Sequence, residues 1–367
     1  MRDGGQMRLR IMHSEAATTF GGQENRIFRE MMALRERGHT LEAICQPASK
    51  LSSRLQAEGF RVHEFLMDGM SNYTRAVYGI RGILARGKFD VLNTHSRRDT
   101  VIAAMAGRLA GTPLIVRTRH LAKRPGSLWS YTRLPHRVVA VSDYVATQMI
   151  ERGVPQSHVA TVSDAIPIAP NDGRSSLREE LGIARAAIVI VCVAHLRPQK
   201  GQGLLLSAAA PLMNGPADIH LVFAGEGSQL DVLKDMARQH GCEARTHFLG
   251  RRADIGNVLA ASDIFALATQ FEALGTSFIE AAACGLPIIG TRVGGVPEVV
   301  KHGETGLLVP YGDVDALRAC LETLAADATL RQRMGAAGAA YVRGEKKFSL
   351  AGMAESMEAA YLRWLKR

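Results

Sequence analysis

The segment Phe271–Val300, FEALGTSFIEAAACGLPIIGTRVGGVPEVV, gathers the residues best able to do chemistry. Gly275 and Thr276 precede a helical stretch, and a helix start offers unpaired backbone N–H groups and a positive dipole end to an anion. Glu280 follows one turn and a little more inside that helix. There it can accept hydrogen bonds from vicinal hydroxyls lying beside the anion, as a ribose would present them. Glu272, in the preceding loop, can face a second polyol. Two acids spaced E-x(7)-E are on their own no more than a capping loop and a solvated side chain. The flanking ACGLP and VGGVPE change that weighing: small residues, then Gly-Leu-Pro into an apolar strand, then a second glycine turn close by.

The elements that must position these groups read as strand, helix, strand, helix almost throughout. In the first half the expected strands are Leu9–Ser14, Thr40–Gln46, Arg61–Leu66, Phe89–His95, Pro113–Arg119, Arg137–Ser142 and His158–Ile166. Glu24–Arg37 is an expected helix, stopped by Gly38. The second half restarts the same grammar with Ile188–His195, a continuous apolar run of the kind found in a central parallel strand. His220–Gly225, Thr246–Gly250, Asp263–Thr269, Pro287–Thr291 and Gly306–Pro310 follow. Such alternation implies an α/β architecture of two parallel sheets with helices on both faces. Ile166–Arg185, with prolines and glycines ahead of a short charged helix, is the expected boundary. Leu350–Arg367 carries Met353, Met357, Tyr361 and Trp364 at helical spacing and reads as a terminal core helix.

The 367 residues suit two domains, and 47% hydrophobic with 22% charged residues excludes disorder and fibrous classes. No apolar run is long enough for a membrane span, and the start, MRDGGQMRLRIMHS, lacks the apolar region of a secretory signal. Five scattered cysteines, never paired as C-x-x-C, are expected as buried thiols of a reducing cytoplasm. Residues 1–185 hold 27 Lys and Arg against 17 Asp and Glu, while 186–367 hold 18 of each, so the whole formal charge of +10 falls in the first half. That half is expected to meet something anionic: nucleic acid, phospholipid headgroups or a phosphorylated substrate, with plain solubility the competing explanation. Within it Ser71–Lys88 is a basic amphipathic helix, a pattern more often packed on a core than laid on a membrane.

Taken in order, further motifs make the chain resemble the retaining glycosyltransferases of family four. Phe271–Val300 is similar to the family's donor-site signature, Gly21-Gly22-Gln23-Glu24 to its first glycine loop, and His120 in IVRTRHL to the histidine after a middle strand. His195–Gly201 (HLRPQKG) is similar to its basic loop, Gly225-Glu226-Gly227 to its G-E-G turn, and Phe248-Leu249-Gly250 with Ala261–Thr269 to the strand pair that follows. The resemblance runs along most of the chain. It implies a GT-B fold of two Rossmann-like domains facing an interdomain cleft: residues 1–168 for the acceptor, 169–348 for a nucleotide sugar, and a helix over 349–367 returning to the first domain. It also implies roles. His120 lies beside the reacting sugar, Arg197 and Lys200 neutralise the departing diphosphate, and Glu272 holds the donor sugar. Gly21 and Gly22 approach the donor through backbone, and Gly225, Ala273 and Leu274 border it. Amides of Gly275 and Thr276 meet phosphate, Glu280 the ribose, and Arg251 the base. His95 and Arg119 are expected at the acceptor.

Transfer from a nucleotide sugar passes through an oxocarbenium-like state while negative charge builds on the leaving group, and one well-placed donor for such charge contributes about 3–4 kcal/mol. With Lys200 and Arg197 in that role no metal is expected, and no cofactor beyond the nucleotide sugar as co-substrate. Asp313 and Asp315 read as a helix cap, not as metal ligands. The chain departs from the family at His195, where an arginine is usual, at Asp164-Ala165 in place of an N-G turn, and in the loop EALG. His13 and His63 are assigned to structure. The expected activity is transfer, with retention, of a hexose-like sugar from a UDP- or GDP-sugar to an envelope glycan or lipid-linked acceptor. The expected place is the cytoplasm, with contact to the inner face of the plasma membrane. Rival readings are an inverting transferase or nucleotide-sugar epimerase of the same fold, and a basic nucleic-acid-binding protein. Aromatic residues make up 5%, without interleaved basic residues, so nucleic acid is not an expected partner.

Overall fold

Successive strand residues in the first half alternate between two apolar layers. Ile11, Ala43, Val91 and Val116 belong to one buried cluster, and Met12, Ile44, Leu92 and Ile115 to the other. That period of two is what a sheet covered on both faces demands. The computed structural model describes residues 7–167 and 174–366, so the expected boundary at 168/169 lies outside the described residues. The chain divides into one unit of Met1–Ala165 with Lys346–Arg367 and a second of Ile166–Glu345.

The first unit holds seven strands: β1 (Arg10–Glu15), β2 (Thr40–Cys45), β3 (Arg61–Glu64), β4 (Val91–Thr94), β5 (Leu114–Arg119), β6 (Arg137–Ala140) and β7 (Val159–Thr161). All pair in parallel, in the order β3-β2-β1-β4-β5-β6-β7. The second unit holds β8 (Ile188–Val193), β9 (Ile219–Ala224), β10 (Thr246–Phe248), β11 (Ile264–Leu267), β12 (Ile288–Thr291) and β13 (Gly306–Val309). These are parallel in the order β10-β9-β8-β11-β12-β13. Each order reverses once, between β1 and β4 and between β8 and β11, and loops leaving the carboxyl ends diverge at such a point to leave room for a ligand.

Several strands end earlier than their apolar runs suggest. β8 stops at Val193, not His195, because the chain turns away and the Leu196 N–H donates to the Glu226 carbonyl instead. At the sheet edge β7 pairs with β6, and the regular ladder ends at Thr161, five residues short of the expected Ile166, with the Val162 and Asp164 N–H groups still donating to the Ala140 and Val141 carbonyls. Asp313 does cap its helix, accepting from the Ala316 N–H at 2.9 Å, and Asp315 pairs with Arg318 at 3.3 Å. All five cysteines are free, with Cys284 and Cys320 half-buried where burial was expected.

The terminal helix Leu350–Leu365 belongs to the first unit. Met353, Met357, Tyr361 and Trp364 pack in the same cluster as Ile27, Met31 and Leu34 of the helix Gly22–Glu36. The Tyr361 hydroxyl accepts from Asn93 Nδ2 at 3.0 Å, and Asn93 Oδ1 accepts from the Thr118 hydroxyl at 2.9 Å, so this helix helps to hold the polar ends of β4 and β5. The basic helix Met70–Gly87 turns Ala76, Val77, Ile80 and Leu84 into the other cluster and leaves Arg75, Arg81 and Arg86 exposed. Its apolar stripe is therefore in the core and is not offered to lipid. Among the described residues no helix is long and apolar enough to cross a membrane.

Tyr361→Phe removes one partner of the buried Asn93 amide, and such an orphaned donor costs about 1–3 kcal/mol. A loss of that size in chemical denaturation is the expected result.

Candidate functional site

In the second unit the loops that follow five strands are tied to one another. The chain after β8 forms a turn at Pro198–Lys200 whose Gln199 carbonyl accepts from the Gln270 N–H at 2.8 Å and from the Thr269 hydroxyl at 3.2 Å. This draws Lys200 to the loop after β11, where Nζ meets Glu272 Oε2 at 2.7 Å. Two sequence-expected residues, 72 positions apart, thus form one ion pair with both side chains largely withdrawn from water. The loop after β12 secures the other side of Glu272: its carbonyl accepts from the Gly295 N–H at 3.1 Å, and a Cβ on Gly294 would lie 1.9 Å from it. Only glycine fits there, which gives the VGGVPE motif its physical meaning.

The G-E-G turn has a similar task. A Cβ on Gly225 would lie 1.9 Å from the Ala194 carbonyl oxygen, and the Gly225 N–H donates to the Gly250 carbonyl at 2.8 Å. Gly225, expected at the donor, is thus required by the packing of one loop on the next. Arg251 and Arg197 are exposed, as is His195. Leu274 is buried, Ala273 is half-buried, and Gly275 leads into the helix Thr276–Ala283, where Thr276 and Glu280 stand four residues apart on one face. The Glu280 carboxylate is close enough to Cys284 to add to the burial that pushes its thiol pKa up.

In the first unit the structure assembles something the sequence did not show. His13 near the end of β1, His95 just past β4 and His120 just past β5 form a ladder, with His13 Nδ1 3.0 Å from His95 Nε2 and His95 Nδ1 3.0 Å from His120 Nε2. Each link joins an Nδ1 to an Nε2, so one tautomer repeated through three rings satisfies both. Beyond His13 Nε2 lies Glu30 Oε1 at 4.0 Å, which favours N–H on every Nε2 and leaves His120 Nδ1 as an acceptor. Burial, and then the positive field of Arg26, pull the His13 pKa down to about 3. His95 and His120 are held well below the ordinary value, burial again the first cause, with Arg117 and Arg119 adding to it at His120. The ladder is neutral at physiological pH. His13, assigned to structure from the sequence, is one end of it, whereas His63 does pair structurally with Glu42 at 2.7 Å.

Beside the ladder Glu15 accepts from the Ala17 N–H at 2.8 Å and from the Gln23 amide. Burial first, then the nearby Asp99 carboxylate, raise its pKa to about 8. Asp99 itself accepts from Ser14 Oγ at 2.8 Å and from the His95 N–H at 2.9 Å. Gly21 and Gly22 open the first helix differently from expectation: the Gly21 N–H is taken by Glu24 Oε2 at 2.7 Å, while a Cβ on Gly22 would meet nothing within 4 Å. Asp164, where the family has its N-G turn, pairs at 2.6 Å with the buried Arg26. A cavity of about 260 Å³ opens among Gln23, His95, Arg97, Arg117, His120 and Tyr131, with Arg119 also in its wall. Arg119 bonds to the Tyr131 hydroxyl and the Lys123 carbonyl, and Arg117 stacks 3.8 Å from the centre of the Tyr131 ring. Arg117, Glu15 and Gln23 went unrecognised as site residues. The signal lay in their placement at the ends of expected strands and at the first helix start.

Two family models divide the chain: Glycosyl transferases group 1 matches residues 173–341, and Glycosyltransferase Family 4 matches residues 20–169. The N-acetyl-alpha-D-glucosaminyl L-malate synthase of Bacillus anthracis is 28% identical over 82% of this chain and 84% of its own. The GDP-mannose-dependent monoacylated alpha-(1-6)-phosphatidylinositol monomannoside mannosyltransferase of Corynebacterium glutamicum is 37% identical over 51% of this chain, a match that spans 50% of that relative. Among solved structures, HepE of Anabaena in complex with UDP and glucose superposes with a TM-score of 0.83 at 22% identity, over 97% of this chain and 100% of that one. The fold is GT-B.

Glu15 carries a pH signature. Its pKa rises on folding from 4.5 to about 8, so its stabilising contribution is complete below pH 4.5 and lost as pH climbs through 8. Glu15→Gln is expected to denature at the same midpoint as the parent near pH 4.5 and at a higher one above pH 8, as urea titrations at the two pH values would report.

Proposed function

The chain belongs to glycosyltransferase family 4, and from that premise we propose that it transfers a hexose-like sugar, with retention, from a UDP- or GDP-sugar to an envelope glycan or lipid-linked acceptor. The observation that carries the donor half is the Lys200–Glu272 ion pair at the carboxyl ends of the second sheet. A cation held beside a loop that leads into a helix start is the equipment a diphosphate leaving group requires. Lys200, Arg197 and the amides of Gly275 and Thr276 take up the charge of the diphosphate. Glu280 receives the ribose hydroxyls, Arg251 lies toward the base, and Glu272, with Ala273 and Leu274 beside it, fixes the sugar.

In the reaction the bond from the sugar C1 to the diphosphate oxygen breaks, and its electron pair leaves with the diphosphate. The acceptor oxygen bonds to C1 on the same face, and its proton passes to the departing phosphate oxygen. His120, kept neutral by burial and by Arg26, Arg117 and Arg119, presents a hydrogen-bonding nitrogen beside the sugar without adding a positive charge that would oppose the oxocarbenium-like state. With its charge needs met by side chains and amides, the transfer is metal-independent and uses no cofactor. UDP as donor base is supported by the UDP in the HepE complex, and GDP by the mannosyltransferase relative. Acceptors with charged headgroups are supported by the relatives' names, L-malate in one and a phosphatidylinositol mannoside in the other. The exposed Arg75, Arg81 and Arg86 give the first unit a basic face for an anionic membrane surface.

Lys200→Ala is expected to lower turnover by about 10²–10³-fold, a larger loss than that in nucleotide-sugar affinity, and Glu280→Ala to weaken that affinity. Steady-state kinetics and calorimetric titration separate the two effects, and parent-like values in both variants would refute the donor site. Proton NMR of the product's anomeric signal reads retention directly.

A further inference from the structure

The histidine ladder runs from the core to a cavity wall, and its direction is set at both ends. His13 and His95 are buried, with ring planes 10° apart, and the planes of His95 and His120 lie 38° apart. At the inner end both carboxylate oxygens of Glu30 face donors, Asn93 Nδ2 at 3.3 Å from Oε1 and Arg26 Nε at 3.3 Å from Oε2. Glu30 therefore stays an acceptor, and His13 Nε2, 4.0 Å from Oε1, faces it as an N–H. At the outer end His95 and His120 line the cavity together with Arg97, Arg117 and Arg119. Cations there favour a bare ring nitrogen over an N–H. Both ends select the same tautomer, with each N–H directed inward. A neutral imidazole is negative at its bare nitrogen and positive at its N–H, so three rings in one tautomer add their dipoles, and hydrogen-bonded groups in a chain polarise one another further. The open end is His120 Nδ1, which has no hydrogen-bond partner and is closed off from solvent. Water does not screen it, and in a low-dielectric wall its field reaches beyond contact distance.

We infer that the three histidines act as one aligned dipole whose negative end lies on the side of the reacting sugar and stabilises the positive charge that builds at C1. His13 and His95 are then positioning residues, acting through the tautomer they impose on His120. The inference rests on the proposed transferase reading, which puts His120 beside the donor sugar. It gives His13 a part in the chemistry, and His95 a second one besides the acceptor wall. A fixed dipole aimed at developing charge needs no reorganisation as the bond breaks. Burial keeps all three rings neutral, so no net charge overrides it. The closed position of Nδ1 has a use as well. An exposed carboxylate beside C1 would compete with the acceptor as a nucleophile, whereas a sealed nitrogen supplies a negative field without attacking.

The test reads tautomer and rate together. NMR of the full chain labelled with nitrogen-15 histidine reports which nitrogen of each ring carries the proton, with His120 assigned from the signals lost in His120→Gln. Nucleotide release from a pool of UDP- and GDP-sugars without acceptor reads the rate, since hydrolysis passes through the same charge at C1. In the parent all three rings are expected as Nε2–H. His13→Met fills the space but removes the acceptor of the His95 N–H. It is expected to turn His120 toward Nδ1–H and to slow release about tenfold, with nucleotide affinity by calorimetry unchanged. His13→Gln is expected to restore both, because Glu30 takes its amide N–H and so turns its carbonyl toward His95. His95→Met, which cuts the ladder at its middle, is expected to act as His13→Met does and decides the matter if that variant does not fold. A merely structural defect lowers the rate without reversing the tautomer. A proton on His120 Nδ1 in the parent, an unchanged tautomer in the methionine variants, or a reversed one with parent-like release overturns the inference while Lys200-dependent release still stands. Release that is absent in the parent, or indifferent to Lys200→Ala, fails the transferase reading and the inference with it.

Discussion

The contact between Lys200 and Glu272 governs the second unit's site. Both side chains are mostly removed from water, and in such a setting desolvation offsets much of the Coulombic attraction. The pair is therefore a weak source of stability and a good source of position. It fixes a cation at the carboxyl end of the sheet, where an extended lysine would otherwise sample many rotamers. The loops around it obey the same demand. Gln199 is pinned by Thr269 and Gln270, and Glu272 is pinned through its carbonyl by the glycine turn after β12. The glycines there are consequences of backbone meeting backbone, so a ligand need not be invoked for each of them.

The first unit solves the opposite problem. It keeps three imidazoles uncharged and in line, by burial first and by the field of nearby cations second. Arg26, paired with Asp164 at 2.6 Å and lying 3.3 Å from Glu30, sits under the ladder and makes a further positive charge unfavourable there. The terminal helix contributes to the same floor, because Tyr361 holds Asn93, whose amide also reaches Glu30 at 3.3 Å. A helix from the far end of the sequence thus supports groups on the first and fourth strands. Buried carboxyls complete the picture: Glu15, Glu30 and Asp99 all have raised pKa values, burial being the first cause in each.

Much of this was legible from residue order. Alternating apolar runs gave the two parallel sheets, the helical spacing of Met353, Met357, Tyr361 and Trp364 gave a core helix, and the EALGTSFIE segment gave a loop leading into a helix. The family resemblance put Lys200 and Glu272 at one donor site, but their ion pair was not legible, because it depends on β8 and β11 pairing directly. The histidine ladder was not legible, and the reason is geometric. His13 and His95 come together only because β1 pairs with β4 in the register that sets His13 opposite Asn93, two residues before His95. A local pattern holds no information on that register. The role of Asp164 was hidden in the same way: a departure from the family's N-G turn is explained by a partner, Arg26, that lies 138 residues earlier. Strand ends were overestimated wherever apolar residues continue past the last ladder bond into a loop.

The central claim is that the second unit grips a diphosphate between Lys200 and the helix beginning at Thr276. A crystal structure with a bound nucleoside diphosphate tests it most directly. The expected density places phosphate oxygens within hydrogen-bond reach of Lys200 Nζ and of the Gly275 and Thr276 amides, with the ribose on Glu280. A nucleotide seated away from these groups, with the Lys200–Glu272 loops empty beside it, would contradict the claim.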